Sequence, residues 1–161
     1  MSNLVAVRKY IEEIFKTSRF AVLATEGDGQ PHASFIAITP MDSYRALIFA
    51  TYRNTRKYSN LTRNGKVALL VESGKYLNQT QQDSFVLTAF GHVEEIGIAD
   101  REFVFNKHLE WHPDLLAFMQ TEDCTLVRIK VDTYQIVRGI DDVEWWTIAD
   151  LDEAEEGDRG N

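Results

Sequence analysis

Three cations stand close together at the start of one predicted helix. Arg53, Arg56 and Lys57 lie in the segment 51–57, which contains no acidic residue. Thr55 is a residue type that caps helices, and the free backbone N–H groups of a first helical turn already favour negative charge. Arg56 and Lys57 are therefore unfavourable there unless they point into water, pair with distant acids or bind an anion. A phosphate would accept hydrogen bonds from the N–H groups, the threonine hydroxyl and the guanidinium together.

A second candidate for chemistry is the histidine pair in His-Leu-Glu-Trp-His, residues 108–112. His108 and His112 are four residues apart and would share one face of a helix, whereas Glu110 projects to another side. Two ligands do not complete a metal site. The sequence therefore predicts no metal centre, and it predicts that the pair lies at the surface near a helix end.

Patterns for nucleophilic or nucleotide chemistry are missing. Cys124 follows Glu122 and Asp123, whose negative charges would raise the pKa of the thiol and make it less reactive. Gly27 and Gly29 lie in a predicted hairpin, without the following helix that a dinucleotide-binding loop requires. No Ser-His-Asp order or phosphate-binding glycine loop is present, so the sequence names no catalytic side chain.

Short strands make up most of the predicted elements. An amphipathic helix over 4–17 comes first, because its apolar residues recur at spacings of three and four. Further helices are predicted at 55–64, 98–109 and 115–120. Six to eight strands, mostly joined by hairpins, favour a small β-barrel with packed helices over alternating βαβ units. The strands are predicted at 20–25, 32–39, 45–51, 66–72, 85–96, 125–131, 134–137 and 144–148, with a polar loop at 78–83.

Composition and charge limit the classes of function. The chain has 161 residues, 44% of them hydrophobic, which suits one domain with one core. Seventeen Lys and Arg against 25 Asp and Glu give a net charge of −8, so general binding to nucleic acid or an anionic membrane is not expected. With a lone cysteine and no signal-like or membrane-length apolar run, the cytoplasm is the expected location. Residues 150–161 carry six acids and are expected to form a solvated, disordered tail after a domain at 1–149.

The ordered series from Phe20 to Val71 resembles the FMN-binding split barrel of the pyridoxamine 5′-phosphate oxidase family. An apolar strand and a Gly-rich turn lead to Gly-Gln-Pro-His at 29–32, and the strand 47–51 leads to Thr-Arg-Lys at 55–57. The resemblance implies a mainly β fold with helices: a split β-barrel of six to eight mostly antiparallel strands, with an N-terminal helix and flanking helices. It also implies a homodimer with FMN bound non-covalently at the interface.

The same resemblance assigns the cofactor site residue by residue. The phosphate of FMN would be held by Thr51, Thr55, Arg56 and Lys57. The flavin ring would lie along one strand and receive backbone hydrogen bonds from it. The flavin would do the redox chemistry while the protein binds and tunes it, which implies an FMN-dependent oxidoreductase or flavin reductase acting on a small molecule. The strand residues concerned are Ser34, Phe35, Ile36 and Ala37.

The residues with which the oxidase recognises its substrate are not matched in this sequence. Ser34 and Thr39 stand where the second strand of the oxidase carries Arg and Lys. Phe85 or Val86 stands where a flavin-contacting Gln is expected. The acidic stretch 141–144 replaces a basic substrate motif near the C-terminus. Pyridoxamine 5′-phosphate oxidase activity itself is therefore not expected.

Three alternatives remain open at the level of the sequence. The first is a reductase that uses the deazaflavin coenzyme F420, whose phosphate would suit the same basic cluster. The second is a non-enzymatic flavin carrier or electron-transfer protein, which the missing substrate motif favours. The third is a haem-binding or haem-degrading protein, with its candidate ligands among His32, His92, His108 and His112.

Overall fold

A computed structural model describes residues 2–73 and 84–159, with the side chains of residues 2–5, 154, 157 and 158 outside that description. The polar loop predicted at 78–83 also lies outside it. Among the described helices, none has the length and apolar character needed to cross a membrane. The elements in chain order are α1 (Ser2–Thr17), β1 (Phe20–Gly27), β2 (Gln30–Ala37), β3 (Thr39–Met41), β4 (Ala46–Tyr52), α2 (Arg56–Arg63), β5 (Lys66–Glu72), β6 (Val86–Glu94), α3 (Arg101–Trp111), α4 (Leu116–Met119), β7 (Cys124–Gly139), β8 (Asp142–Thr147) and α5 (Ile148–Arg159).

The strands form one curled antiparallel sheet in the order β2-β1-β5-β6-β7-β4-β3, with β8 also beside β7. One side of β7 pairs with β6, and the other side pairs with β4 along its first half and with β8 along its second half. This confirms the predicted split barrel with its N-terminal and flanking helices.

Strand β7 replaces two predicted strands, 125–131 and 134–137. The pairing with β6 passes from Val131 opposite Gly91 to Thr133 opposite Phe90, so that Asp132 is absorbed as a bulge and the strand continues. Only glycine fits at position 91, because a Cβ there would lie 2.1 Å from the carbonyl oxygen of Lys130.

Helix α1 fills the concave side of the sheet. Its predicted apolar stripe is confirmed at Val7, Ile11, Ile14 and Phe15, which are at most 1% exposed. These side chains belong to one core cluster with residues of most strands, including the fully buried Tyr134. At about 25 cal/mol per Å² of apolar surface removed from water, this burial is the main stabilising term for the helix.

The C-terminal segment is helical, which differs from the disordered tail that its charge predicted. Leu151 of α5 is 5% exposed and belongs to the main core cluster. Arg45 donates to the carboxylates of Asp152 and Glu155, and Arg8 lies 2.8 Å from Glu155. The acids of this segment therefore have guanidinium partners far upstream, which a local count of charges does not reveal.

Truncating Leu151 tests whether α5 is docked. Leu151→Ala should lower the free energy of unfolding by about 2–4 kcal/mol, because a buried leucine loses both its transfer energy and its packing. Urea denaturation would measure the change. Ile140→Ala is the control, since Ile140 is 98% exposed and a change within about 0.5 kcal/mol is expected there. Equal, small effects of the two substitutions would mean that α5 is detached in solution.

The outer face of the sheet carries exposed apolar side chains. Phe20, Val22, Phe35, Leu70 and Trp145 are 37–72% exposed, and we call these five side chains the open face. One row of paired residues runs from Phe35 on β2 through Leu70 to Trp145 on β8, across six adjacent strands. At strand spacings of 4.7–4.9 Å, the row is about 24 Å wide. Thr88 and Gln135 stand between Leu70 and Trp145 in this row, so its apolar part covers β2, β1 and β5, and Trp145 is a separate apolar group on β8. Exposed apolar groups that cluster in this way are typical of an interaction surface.

Candidate functional site

The predicted anion site lies at the N-terminus of α2. Thr55 caps the helix: its hydroxyl accepts a hydrogen bond from the backbone N–H of Tyr58 at 3.3 Å and donates to the carbonyl oxygen of Tyr52 at 2.8 Å. The buried Thr51 lies beside it, with its Oγ1 atom 3.2 Å from that of Thr55. The two threonines thereby fix the turn from which the cations project.

Arg56 and Lys57 are the unpaired cations of this turn. Within the described ranges, neither forms an ion pair, and no acidic residue lies in the first turn of α2. Burial lowers the pKa of Lys57, because its ammonium loses water without gaining a counter-ion. In the same ranges, their backbone N–H groups have no hydrogen-bond acceptor. This helix start is therefore positive and rich in unused donors.

Asn60 ties α2 to the β1–β2 hairpin. Its Nδ2 atom donates to Thr25 Oγ1 at 3.1 Å, and Thr25 pairs with His32 across the hairpin. A Cβ at Gly27 would lie 2.1 Å from Asn60 Oδ1, so a larger residue there would displace the Asn60 side chain. Strand β2, which carries the residues predicted to contact the ring, therefore lies one strand away from α2.

The predicted ring strand, Ser34–Ala37, alternates between the two faces of the sheet. Phe35 is 72% exposed on the open face, whereas Ile36 is 5% exposed in the core. Ser34 Oγ and His32 Nδ1 are buried and have no hydrogen-bond partner among the residues described. Unpaired buried polar atoms cost free energy, so a ligand that bonds to these two atoms would be favoured.

Two residues of this arrangement, Asn60 and His32, lie outside the set predicted to bind the cofactor. Asn60 follows Arg56 by four residues and so lies on the same side of α2, but nothing in the sequence shows that it reaches the hairpin. His32 belongs to the Gly-Gln-Pro-His segment of the family resemblance, and its residue type suits either a ligand contact or a hydrogen-bonded framework position. The tight Gly27–Gly29 turn places His32 opposite Thr25, so this turn is the sequence feature from which the position of His32 could be predicted.

His108 and His112 are buried, which corrects the expectation of a surface pair. Their side chains are 0% and 7% exposed. His108 Nδ1 lies 2.8 Å from Thr39 Oγ1, and His112 Nε2 donates to the carbonyl oxygen of Ile38 at 2.7 Å. These partners are 69 and 74 residues upstream, so the local pattern could not identify them. In the part of the chain that the structure describes, no group of three or more residues could hold a metal ion.

The burial of His108 makes folding depend on pH. Desolvation, together with the charge of His112, lowers the pKa of His108 from 6.5 to about 4. Below pH 6.5 the unfolded chain takes up a proton that the folded chain does not bind until about pH 4. The free energy of unfolding should therefore fall by about 1.4 kcal/mol per pH unit from this group as the pH falls across that range.

The substitution His108→Gln isolates this contribution, because glutamine can hydrogen-bond to Thr39 but does not titrate. Denaturant unfolding at pH values from about 6.5 to about 4.5 should show a shallower loss of stability in the variant than in the parent chain. Other groups that titrate in acid contribute equally to both proteins. Parallel pH profiles would contradict the burial of a neutral His108.

The acids in place of the basic substrate motif are held in an ion-paired hairpin. Arg138 donates to Asp142 at 2.8 Å and also to Glu144. The guanidinium lowers the pKa of Asp142, because it favours the charged carboxylate. The charged side chains at this end of β7 and β8 therefore pair with one another.

Comparison with known proteins shows the family to which this sequence is related. A sequence model described as pyridoxamine 5′-phosphate oxidase matches residues 7–138. The chain belongs to this family. A pyridoxamine 5′-phosphate oxidase homologue of Schizosaccharomyces pombe is 25% identical over 167 residues, a match that covers 84% of this chain and 88% of the relative.

Solved structures share the fold of this family member. A haem-binding protein from Mycobacterium smegmatis has a TM-score of 0.79 at 16% identity, covering 89% of this chain and 59% of its own length. General Stress Protein 26 from Bacillus anthracis has a TM-score of 0.67 at 21% identity, covering 88% and 98%. HutZ, a haem storage protein of Vibrio cholerae, has a TM-score of 0.65 at 17% identity, covering 77% and 89%. At these identities the likeness concerns the fold alone, and this chain spans about three fifths of the mycobacterial protein.

Proposed function

We propose that this family member binds FMN non-covalently and acts as a flavin-dependent oxidoreductase or flavin reductase on a small molecule. The observation that carries the proposal is the unpaired Arg56–Lys57 pair at the start of α2. A phosphate there would satisfy the guanidinium, the ammonium and the free N–H groups at once. FMN would supply the redox chemistry.

The residues around this helix start would have distinct parts in binding. Thr51 and Thr55 hold the turn in shape, while Arg56 and Lys57 bind the phosphate. The backbone of Ser34–Ala37 is proposed to follow the flavin ring. The orphaned Ser34 Oγ and His32 Nδ1 support this placement, because a ring with polar edges offers them partners.

We also propose a homodimer in which a second copy covers the open face. Burying Phe20, Val22, Phe35, Leu70 and Trp145 against their symmetry mates would remove a broad apolar surface from water. Phe35 belongs to both the open face and the proposed ring strand. His32 and Ser34 point to the other face of β2, and β2 is an edge strand. A cofactor bound to these side chains would therefore meet the second subunit around the edge of the sheet.

An absorption spectrum of freshly purified protein, with mass analysis of the released chromophore, tests the cofactor. Flavin bands and the mass of FMN are the expected result. A deazaflavin mass would replace FMN with F420, and a Soret band would replace it with haem. A colourless protein that does not take up added FMN would overturn the proposal.

Turnover separates an enzyme from a carrier. With NADH or NADPH and an electron acceptor, the FMN-loaded protein should oxidise the nicotinamide. FMN binding without turnover would instead favour the electron-transfer protein. Pyridoxamine 5′-phosphate should not be oxidised, because the hairpin that would grip its phosphate is acidic and ion-paired through Arg138.

Haem is less well supported by the positions of the histidines. His108 is 0% exposed and His112 is bonded to a carbonyl oxygen, so neither presents a free nitrogen at the surface. His92 is paired with Asp132 at 3.0 Å. A haem ligand among these three would have to give up an existing contact or leave the interior. His32 is different, because its Nδ1 atom has no hydrogen-bond partner among the residues described, so a Soret band would direct attention to His32 first.

A further inference from the structure

A cavity of about 540 Å³ lies beside α2. Tyr58 and Leu61 line it, whereas Arg56 lies on the opposite side of the helix at about 100° per residue. Lys57 precedes Leu61 by four residues and therefore lies next to the cavity side, although it is not among the lining residues. The end of β6, helices α3 and α4, and the start of β7 complete the walls. Its volume is within the range of small-molecule sites.

The cavity combines an apolar floor with two aromatic walls. Leu61, Met119 and Val127 line it and are each 6% exposed, so the floor is apolar and only just within reach of solvent. Tyr58 lines it from α2, and Phe105 lines it from α3. Aromatic side chains on two separate helices favour a flat, ring-containing ligand over a flexible chain.

Arg53 gives the cavity an exposed positive group that one side-chain hydrogen bond anchors. Its backbone N–H donates to the carbonyl oxygen of Asp123 at 3.0 Å, and its Nη1 atom donates to that of Glu122 at 2.9 Å. Within the described ranges, the Arg53 guanidinium has no carboxylate at ion-pair distance. A guanidinium held in place with unused N–H groups is suited to binding a carboxylate.

The other charged residues of the lining limit how many negative charges a ligand can carry. Glu94, Glu95 and Arg101 also line the cavity, and all three are exposed. The two glutamates neighbour each other at the end of β6, where they would repel a second negative group on the ligand. A single negative charge directed at Arg53 therefore fits the lining better than a doubly charged phosphate.

We propose that this cavity binds a flat aromatic monocarboxylate, with its ring between Tyr58 and Phe105 and its carboxylate on Arg53. None of the residues proposed to bind FMN lines this cavity, and the inference does not depend on the identity of the cofactor.

The reactivity of one cysteine can show whether a ligand occupies the cavity. Cys124 is the single cysteine of the sequence, lines the cavity and is half-buried. The rate at which neutral iodoacetamide alkylates Cys124 can be measured by mass spectrometry with increasing concentrations of a probe. Three probes share one ring and differ only in the head group: 2-naphthoate, 2-naphthalenemethanol and 2-naphthylmethylammonium.

The expected result is protection of Cys124 by 2-naphthoate at concentrations about tenfold lower than those of the neutral alcohol, as a charge-assisted hydrogen bond implies. The ammonium probe should protect least. Failure of all three probes to protect Cys124 at millimolar concentration would overturn the proposal. Preferential protection by the ammonium probe would overturn it too, since the glutamates would then control the site.

Substitutions at Arg53 separate its role from general apolar binding. Arg53→Gln should abolish the preference for 2-naphthoate while leaving protection by the alcohol unchanged, and Arg53→Lys should restore part of that preference. Arg63→Gln is the matched control, because Arg63 pairs with Asp28 at 3.1 Å and does not line the cavity. Protection is compared with and without probe in each variant, which removes differences in the intrinsic reactivity of Cys124. An undiminished preference in folded Arg53→Gln protein would contradict the assignment.

Discussion

Leu70→Glu should dissociate the proposed dimer into monomers. Leu70 is 44% exposed near the middle of the open face and pairs with Val22 on the neighbouring strand. A carboxylate at this position would be buried against the apolar surface of a second subunit without a partner, which is strongly unfavourable. We expect the dimer dissociation constant to rise by about 100-fold or more. Analytical ultracentrifugation over a range of protein concentrations would measure it.

The matched control for this substitution is Ile140→Glu. Ile140 is 98% exposed and lies in the turn between β7 and β8, outside the paired rows of the open face. The same change in size and charge should leave the dimer intact there. If Leu70→Glu and the parent chain share one dissociation constant, or if the parent chain is monomeric at micromolar concentration, the open face is not the subunit interface.

Replacing Arg56 and Lys57 together by alanine should weaken FMN binding by about 100-fold. Hydrogen bonds between a charged side chain and a phosphate contribute about 1.5–3 kcal/mol each, and partial exposure of this turn reduces their sum to about 3 kcal/mol. The fold should be unaffected, because within the described ranges neither cation takes part in an ion pair. Quenching of flavin fluorescence on titration would give the affinity.

A second double variant, with Lys16 and Arg63 changed to alanine, separates specific contacts from net charge. It removes the same number of positive charges, and both residues are exposed at the ends of their helices. Its affinity for FMN should change by less than about threefold. Equal losses in the two double variants would mean that only the overall charge matters, and unchanged affinity of the Arg56–Lys57 variant would remove the phosphate assignment.

Local signals were enough to predict the elements that carry the site. The glycines of the β1–β2 turn, the Thr55 cap and the apolar stripe of α1 each act within a few residues, and each led to the correct element. The split barrel followed from their order together with the family resemblance. Bringing Thr51 and Thr55 together required only that a strand end next to a helix start.

Long-range contacts account for what the sequence did not reveal. The burial of His108 depends on Thr39, and the order of α5 depends on Arg45, more than a hundred residues before Glu155. The bulge that keeps β7 continuous is marked in the sequence by Gly91 on the partner strand β6, where a glycine within a strand predicts a bulge, but no glycine or proline within 125–137 shows that β7 runs through it. The cavity beside Arg53 is built from separate helices and strands, so no local spacing pattern could predict it.

Glu155 joins parts of the chain that are made at very different times. It contacts Arg8 of the first helix and Arg45 ahead of β4, while Leu151 of the same helix completes the main core cluster. As the chain emerges from the ribosome, α1 must wait for α5 before it gains these contacts, and contacts between such distant segments slow folding. A nascent chain stalled before α5 would expose part of the core that α1 and α5 share.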